Sequence, residues 1–311
     1  MTGAVVADDT RSGLLLADKG PGVTSFQVVA HLRRALRVPK IGHGGTLDPM
    51  ATGVLPILLG PATKLTPYLQ GQDKEYVATV RLGVTTDTLD ATGRVTAERA
   101  VPALDADRIR TVLARFEGEI DQVPPMFSAL HVGGRRLHEL ARAGVEVPRA
   151  ARRIRIDAID LLEWAPPRLL LRIACGKGTY VRSLAADIGD ALSCGGHLEA
   201  LSRIRIGPFR LNDAVPWATI RDGDAALLLA RLLPSDRAVQ HLPAVRVAED
   251  AARRLTHGQR LARGLVASES CGPCRLYLGD VFLGIGEASA DGLRALRLLY
   301  ADLPRARPVP S

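Results

Sequence analysis

Residues 42–53 read Gly42-His43-Gly44-Gly45-Thr46-Leu47-Asp48-Pro49-Met50-Ala51-Thr52-Gly53. Four glycines surround one histidine and one aspartate. Glycine lets a backbone approach a ligand closely or take a positive φ. Pro49 biases Asp48 toward an extended conformation, which holds its carboxylate out from the loop. A segment of this kind is built to present an acid. The plainer reading is a turn capped by Asp48, with His43 as a structural histidine.

Apolar segments flank this loop, and the pattern around it sets the fold class. "GLLLADKGPGVTS" reads as a short strand, a Gly/Pro loop and a Ser/Thr helix entry. From Phe26 to Leu36 the period is helical, with Phe26, Val29, Leu32 and Leu36 on one face and His31, Arg33 and Arg34 on the other. "KEYVATVRLG" alternates as a strand, with Tyr76, Ala78 and Val80 on one side, and "ALDADRIRTVLARFEG" is a helix with an Asp start. "RLLLRIACGKGTYVRSLAADIGDAL" reads as strand, glycine turn and helix, and "GGHLEALSRIRIGPFR" as helix then strand. The order is mixed α+β and not a regular β-α repeat.

Two further places can carry chemistry. In "GKGTYVRSLAADIG", alternation puts Tyr180 and Arg182 on the same side if the segment is extended. An arginine beside an aspartate holds it ionised and fixes its orientation through a bidentate bond. Tyr76 opens its strand in a chain with only 5 tyrosines. A phenol can stack on a base and carry a proton. Taken singly, a surface arginine and packing tyrosines explain these residues as well.

At 311 residues the chain has room for about two domains. It is 47% hydrophobic, which excludes a wholly disordered chain. No run of 18 apolar residues argues for a membrane span. Residues 1–9 carry two acids and no basic leader pattern. Four cysteines fit a reducing compartment, so the expected location is cytoplasmic. The net charge of +8 suits a nucleic-acid or other anionic partner, and equally a soluble enzyme with an arginine-rich surface. Only Lys19, Lys40, Lys64, Lys74 and Lys177 are lysines; the other 36 cations are arginine. A position that keeps lysine in such a chain asks for a compact ammonium. No nucleotide-phosphate loop is present, and Cys271-Gly-Pro-Cys274 lacks a second pair at zinc-finger spacing. No metal and no cofactor are expected.

Residues 1–12 read as a disordered N-terminus and 13–240 as the catalytic domain. His131 to Arg155 holds seven Arg and two Glu, and the region at about 125–155 reads as a mobile basic insertion. "LLPSDRAVQHLPAV" reads as a linker. After it, 245–311 alternates short β-like segments, which suggests a small β-barrel-type module.

Together, "LLLADKGPGVTS", "IGHGGTLDPMATGVLPILLGPATKLTPYL", "DKEYVATVRLGVTTDTLDATG", "QVPPMFSALHVGGRRLHELARAGVEVPR", "CGKGTYVRSLAADIG" and "HLEALSRIRIGPF" resemble one family, the TruB-type tRNA pseudouridine synthases. The matches run in order over about residues 13–215. The resemblance implies an α+β pseudouridine-synthase fold, with a central mixed or antiparallel sheet flanked by helices and a small C-terminal β-rich PUA-like RNA-binding domain. It implies isomerisation of a uridine to pseudouridine in the T-loop (T-arm) of tRNA, at position 55, after the base is flipped out. It allows assistance to tRNA folding. By the same resemblance Asp48 is the catalytic aspartate, Arg182 pairs with it, and Tyr76 stacks on the target base. Tyr180 is a second active-site tyrosine, His43 helps to hold the flipped-out loop, and Leu201 lines the pocket. Lys19, Lys64 and Lys177 are taken as substrate-binding. Lys19 and Pro21 lie in "DKGPG", where the family shows Lys-Pro directly. The family often has Lys at His131 and Tyr at His138. The expected partner is tRNA, with no membrane, no required protein partner and a monomeric state.

The chemistry suits one carboxylate. A glycoside hydrolase uses two, one to protonate the leaving group and one to handle water. Here the detached base stays bound and rejoins through carbon. Asp48 can attack the sugar or the base, Tyr76 can remove the C5 proton, and an apolar pocket around Leu201 excludes water. The rival readings are a non-catalytic RNA-binding protein, a synthase guided by a small RNA within a larger complex, and a nucleoside hydrolase.

Overall fold

The computed structural model describes residues 11–128, 131–132, 135–137, 145, 147–262, 271–301 and 303. The larger sheet is mixed and mostly antiparallel. Its main path runs Val215–Pro216, Gly13–Lys19, Thr52–Leu59, Gly196–Ile206, Lys74–Leu82, Arg168–Cys175, Arg152–Ala165 and Gly118–Gln122. Two neighbouring pairs are parallel, Gly13–Lys19 with Val215–Pro216 and Gly196–Ile206 with Thr52–Leu59. Helices Ser25–Leu36, Ala106–Leu113 and Val181–Ala191 bury their apolar faces in the core that covers the sheet. Thr24 caps the first of these in a reciprocal capping box with Gln27.

Gly53 shows how the close strand crossing constrains sequence. Its φ is +108°, and a Cβ there would stand 2.2 Å from the Arg203 carbonyl oxygen. Only glycine lets the Thr52–Leu59 strand meet Gly196–Ile206 directly after the Asp48 loop.

The C-terminal unit is a four-stranded sheet in the order Ala244–Val247, Gly272–Leu278, Val281–Ser289 and Gly292–Leu298, with helix Glu249–Thr256 packed into its own core. It is β-rich, as expected, but among the described residues its sheet stays open rather than closing as a barrel. Lys64 donates to the carbonyls of Leu298 and Leu299 and so ties the two units together.

Several expectations are corrected. "GGHLEALSRIRI" is not a helix: Gly196–Ile206 is one strand, because its pairing with Lys74–Leu82, broken by two bulges, satisfies most of its backbone. Phe26 does not face the core and is 67% exposed, while Val28 takes the buried place beside Val29. The expected linker is packed: Ala238 and Val239 are fully buried against Leu14 and Ile285. Residues 1–10 lie outside the described residues, but Ser12 is anchored, bonding the Ser235 hydroxyl and the Ala62 amide. Most of 129–146, including His138, also lies outside the described residues, so the basic insertion is described only in part. Among the described residues no helix is long and apolar enough to cross a membrane, and no cluster of ligands fit for a metal occurs.

Candidate active site

A cleft of about 620 Å³ opens where the Asp48 loop, the Lys74–Leu82 and Gly196–Ile206 strands and the N-terminus of helix Val181–Ala191 converge. Asp48, Tyr76, Tyr180, Arg182, His43 and Leu201 all line it. A larger crevice of about 870 Å³ lies between Gln72, Arg205, His241 and Arg275 and contains none of them.

The Asp48 loop is held from three sides. Ser25, the first residue of its helix, is buried. Its hydroxyl donates to the Leu47 carbonyl at 3.1 Å and accepts from the Leu47 amide at 2.9 Å. Lys19, fully buried, donates to the carbonyls of Gly20, Val23 and Pro49. It therefore braces the loop from beneath and does not reach the cleft. Burial pushes its ammonium down to about 8, while the nearby Asp48 opposes that shift. From the third side Arg203 donates to the Gly45 carbonyl at 3.1 Å.

Arg182 supplies the electrostatic contact. Its Nε stands 2.9 Å from Asp48 Oδ2, and Nη2 stands 3.4 Å from Oδ1, the bidentate arrangement expected from sequence. The guanidinium also reaches Asp90 Oδ2 at 3.5 Å and donates to the carbonyls of Thr88 and Phe127. Asp48 keeps 36% of its side-chain surface open. Burial pushes its carboxyl above the usual carboxylate range; Arg182 pulls the other way and Asp90 adds to the rise. Arg182 favours the ionised form, as expected from an arginine beside an aspartate, but desolvation is the larger influence.

Tyr180 and Arg182 share the cleft although the segment between them is not extended. Tyr180 is the last residue before the helix, and Arg182 lies in its first turn. The helix has no side-chain cap. Buried Gln122 holds its entry instead, accepting from the Tyr180 amide at 2.8 Å and donating to its carbonyl at 3.1 Å.

Tyr76 and Leu201 form the sheet-side wall. Both are buried, and Tyr76 stands opposite Arg203 across the strand pair. Burial raises the Tyr76 phenol above its ordinary value, against the pull of Arg203. His43 has its Nδ1 buried with no partner among the described residues, and burial lowers its basicity. Neutral imidazole is the form this environment favours. Lys64 and Lys177 do not line the cleft: one bridges to the C-terminal unit and the other is exposed on its glycine turn.

Sequence reading missed Ser25, Asp90, Gln122 and Arg203, and it misplaced Phe26, which lines the cleft mouth. Phe26 carried a usable signal, because it directly follows the Thr24-Ser25 helix entry, where a first-turn side chain can face either way. Gln122 and Asp90 act through long-range contacts that spacing does not reveal.

The arrangement presents one partly open carboxylate, clamped by a guanidinium, opposite a phenol and an apolar wall. Family models match the chain along most of its length: the N-terminal domain of TruB family pseudouridylate synthase over residues 33–181, the tRNA pseudouridylate synthase B C-terminal domain over 182–240, and the pseudouridine synthase II TruB C-terminal model over 243–299. The tRNA pseudouridine synthase B of Chromohalobacter salexigens is 47% identical over 287 residues, covering 92% of this chain and 94% of that one. The protein of the same name from Thiobacillus denitrificans is 47% identical over 288 residues, covering 92% and 95%. Among solved structures, a chain of a Cbf5-Nop10-Gar1 complex superposes with a TM-score of 0.73 at 29% identity, covering 93% of this chain and 85% of that chain. A chain of an H/ACA RNP bound to a substrate RNA containing 2′-deoxyuridine gives 0.70 at 28%, covering 94% and 86%. On this footing, with the cleft and the chain-long identity in agreement, the chain belongs to the TruB family of pseudouridylate synthases.

Proposed function

We propose that this enzyme, a tRNA pseudouridine synthase by family, converts the uridine at position 55 of the tRNA T-loop to pseudouridine, with Asp48 as its catalytic carboxylate. The observation that carries the reading is the convergence of Asp48, Arg182, Tyr76, Tyr180 and Leu201 on one cleft. Uracil leaves the ribose through N1, turns within the pocket and rejoins through C5. Asp48 engages the sugar or the base while the bond is broken. Arg182, with its donors spread over Asp48, Asp90 and two carbonyls, keeps the carboxylate in place. Tyr76 stacks on the base and takes the C5 proton after rejoining. The buried Leu201 side chain helps to exclude water, which favours rejoining over hydrolysis.

A stacked loop uridine must be flipped out to reach this site, at a cost of a few kcal/mol. Phe26 and Tyr180 offer ring faces in the cleft, and the net charge of +8 draws in phosphates. His43, beside them, supports the displaced loop. Lys177 is exposed near the helix entry, and in this reading it meets a backbone phosphate.

The test is unmodified tRNA incubated with the protein alone, followed by chemical mapping of pseudouridine. Wild type modifies the T-loop uridine without an added guide RNA or partner. Asp48→Asn gives none, with tRNA affinity within about twofold because phosphate contacts dominate binding. Retained activity in Asp48→Asn overturns the assignment, and free uracil in the wild-type reaction would mark a hydrolase.

A further inference from the structure

Arg203 heads the fully buried side chains of the described residues in size, at 1% exposure. A buried cation ordinarily has a carboxylate beside it. Among the described residues, no acid lies within ion-pair distance of Arg203. Its Nε donates to the Val54 carbonyl at 2.8 Å and its Nη2 to the Gly45 carbonyl at 3.1 Å. Its remaining neighbour of consequence is Tyr76, directly opposite on the adjacent strand, near enough for the guanidinium charge to act on the phenol. Residues paired in this way share a face of the sheet. The other ionisable groups that feel Arg203 are Lys19, His43 and Lys74, and its charge disfavours the protonated form of each. Tyr76 also faces Cys175 from the strand on its other side and Asp48 from the loop, and both disfavour its anion. Among the described residues, Arg203 is the cation whose charge most favours the anion of the phenol.

We propose that Arg203 is a positioning residue for the isomerisation: it aims the Tyr76 hydroxyl into the cleft, links it rigidly to the Gly45 end of the Asp48 loop, and stabilises that oxygen as an anion. The inference rests on the reading of Tyr76 as acceptor of the C5 proton. In that step the C5–H bond breaks, its electron pair restores the ring double bond, and the proton passes to the Tyr76 oxygen as the phenol's own proton leaves for cleft water. Burial holds the resting group as the neutral phenol, and the adjacent guanidinium lowers the cost of the negative charge that develops on its oxygen during this transfer. An uncompensated charge is useful here because any carboxylate beside Arg203 would cancel its pull on the phenol.

The test compares Arg203→Gln, Arg203→Lys, Tyr76→Phe and the double variant Arg203→Gln/Tyr76→Phe in single-turnover assays on tRNA from pH 6 to 9.5. Folding is checked by circular dichroism. Arg203→Gln is expected to slow the chemical step about ten- to a hundredfold at pH 7.5 with tRNA affinity within threefold, a loss that shrinks as pH rises. Arg203→Lys keeps the cation, so its pH profile stays like the wild type and its loss stays under tenfold. In the Tyr76→Phe background Arg203→Gln has no further effect. The proposal is overturned if the second loss adds in full to the first, or if Arg203→Gln leaves the pH profile unmoved. If Arg203→Gln does not fold, a displaced pH profile in Arg203→Lys overturns it. Full activity in Tyr76→Phe alone is a separate outcome, and it removes the Tyr76 base reading itself.

Discussion

Replacing Ser25 by alanine tests whether the first helix fixes the Asp48 loop. The Ser25 hydroxyl satisfies both backbone groups of Leu47, at 2.9 and 3.1 Å, and both residues are buried. Alanine leaves one N–H and one C=O without a partner, each at roughly 1–3 kcal/mol. Both residues border the cleft, so water reaches part of the gap and the low end applies. The expected loss is about 2–3 kcal/mol, read as a lower urea midpoint with an unchanged slope. Leu47 immediately precedes Asp48, and a misplacement of about 1 Å in a reacting group can slow a reaction about a hundredfold. Single-turnover pseudouridine formation should therefore fall about ten- to a hundredfold, with tRNA affinity kept because no phosphate contact is touched. A stability change under about 0.5 kcal/mol refutes the bonding argument. A full stability loss with an unchanged rate refutes the claim that the contact positions Asp48.

Gly53→Ala should fail to give folded protein, since its Cβ would meet backbone at 2.2 Å in a φ region closed to alanine; a loss below about 4 kcal/mol in denaturant titration counts against the close crossing. Phe26→Ala should weaken T-arm RNA binding by about 1 kcal/mol, roughly fivefold, through lost stacking, and leave the unfolding midpoint unchanged because the ring is 67% exposed; unchanged affinity removes Phe26 from the RNA path. For pH, the proposed role of Asp48 requires its ionised form, and burial raises its carboxyl. The rate should thus be lost as pH falls through a value above the ordinary carboxylate range, and Arg182→Gln should move that acid limb higher still. An acid limb at or below the ordinary range in kcat profiles contradicts this sign.

How far the sequence disclosed the site depended on range. The Asp48 loop, the Tyr76 strand and the Arg182 turn were legible because each rests on local chemistry: glycine and proline geometry, alternation, and a strand–turn–helix pattern. The "HLEALSRIRI" error has the opposite origin. Its composition permits a helix, and pairing with Lys74–Leu82 on one side and Thr52–Leu59 on the other overrides that preference. Phe26 misled because helical period alone does not say how wide the buried face is, and here Ser25 and Val28 complete it. Lys19 was singled out as a retained lysine and taken as substrate-binding, but its three acceptors are backbone carbonyls whose positions depend on loops 20–23 and 49. Lys64 was singled out on the same ground and lies at the boundary with the C-terminal unit.

The charges also explain why one exposed acid suffices. Arg182 stands between Asp48 and Asp90, and its remaining donors are taken by carbonyls. Asp90 is itself fixed by Thr88 and by the amide and hydroxyl of Thr92. These partners hold the guanidinium from four sides, so the Asp48 carboxylate is oriented by a fixed partner. Had Arg182 been a mobile lysine, the pair could have collapsed and covered the carboxylate. Instead the carboxylate stays partly open on one side of the cleft, while Arg203 places its unneutralised charge behind Tyr76 on the other. In the proposed reaction, a uracil held between them meets negative charge where the glycosidic bond breaks and a polarised phenol where its carbon proton must leave. The two walls belong to separate strands and loops, but the Gly45 carbonyl accepts from Arg203 and the Leu47 backbone bonds Ser25. Those contacts make the spacing between acid and phenol a property of the folded sheet rather than of a flexible loop.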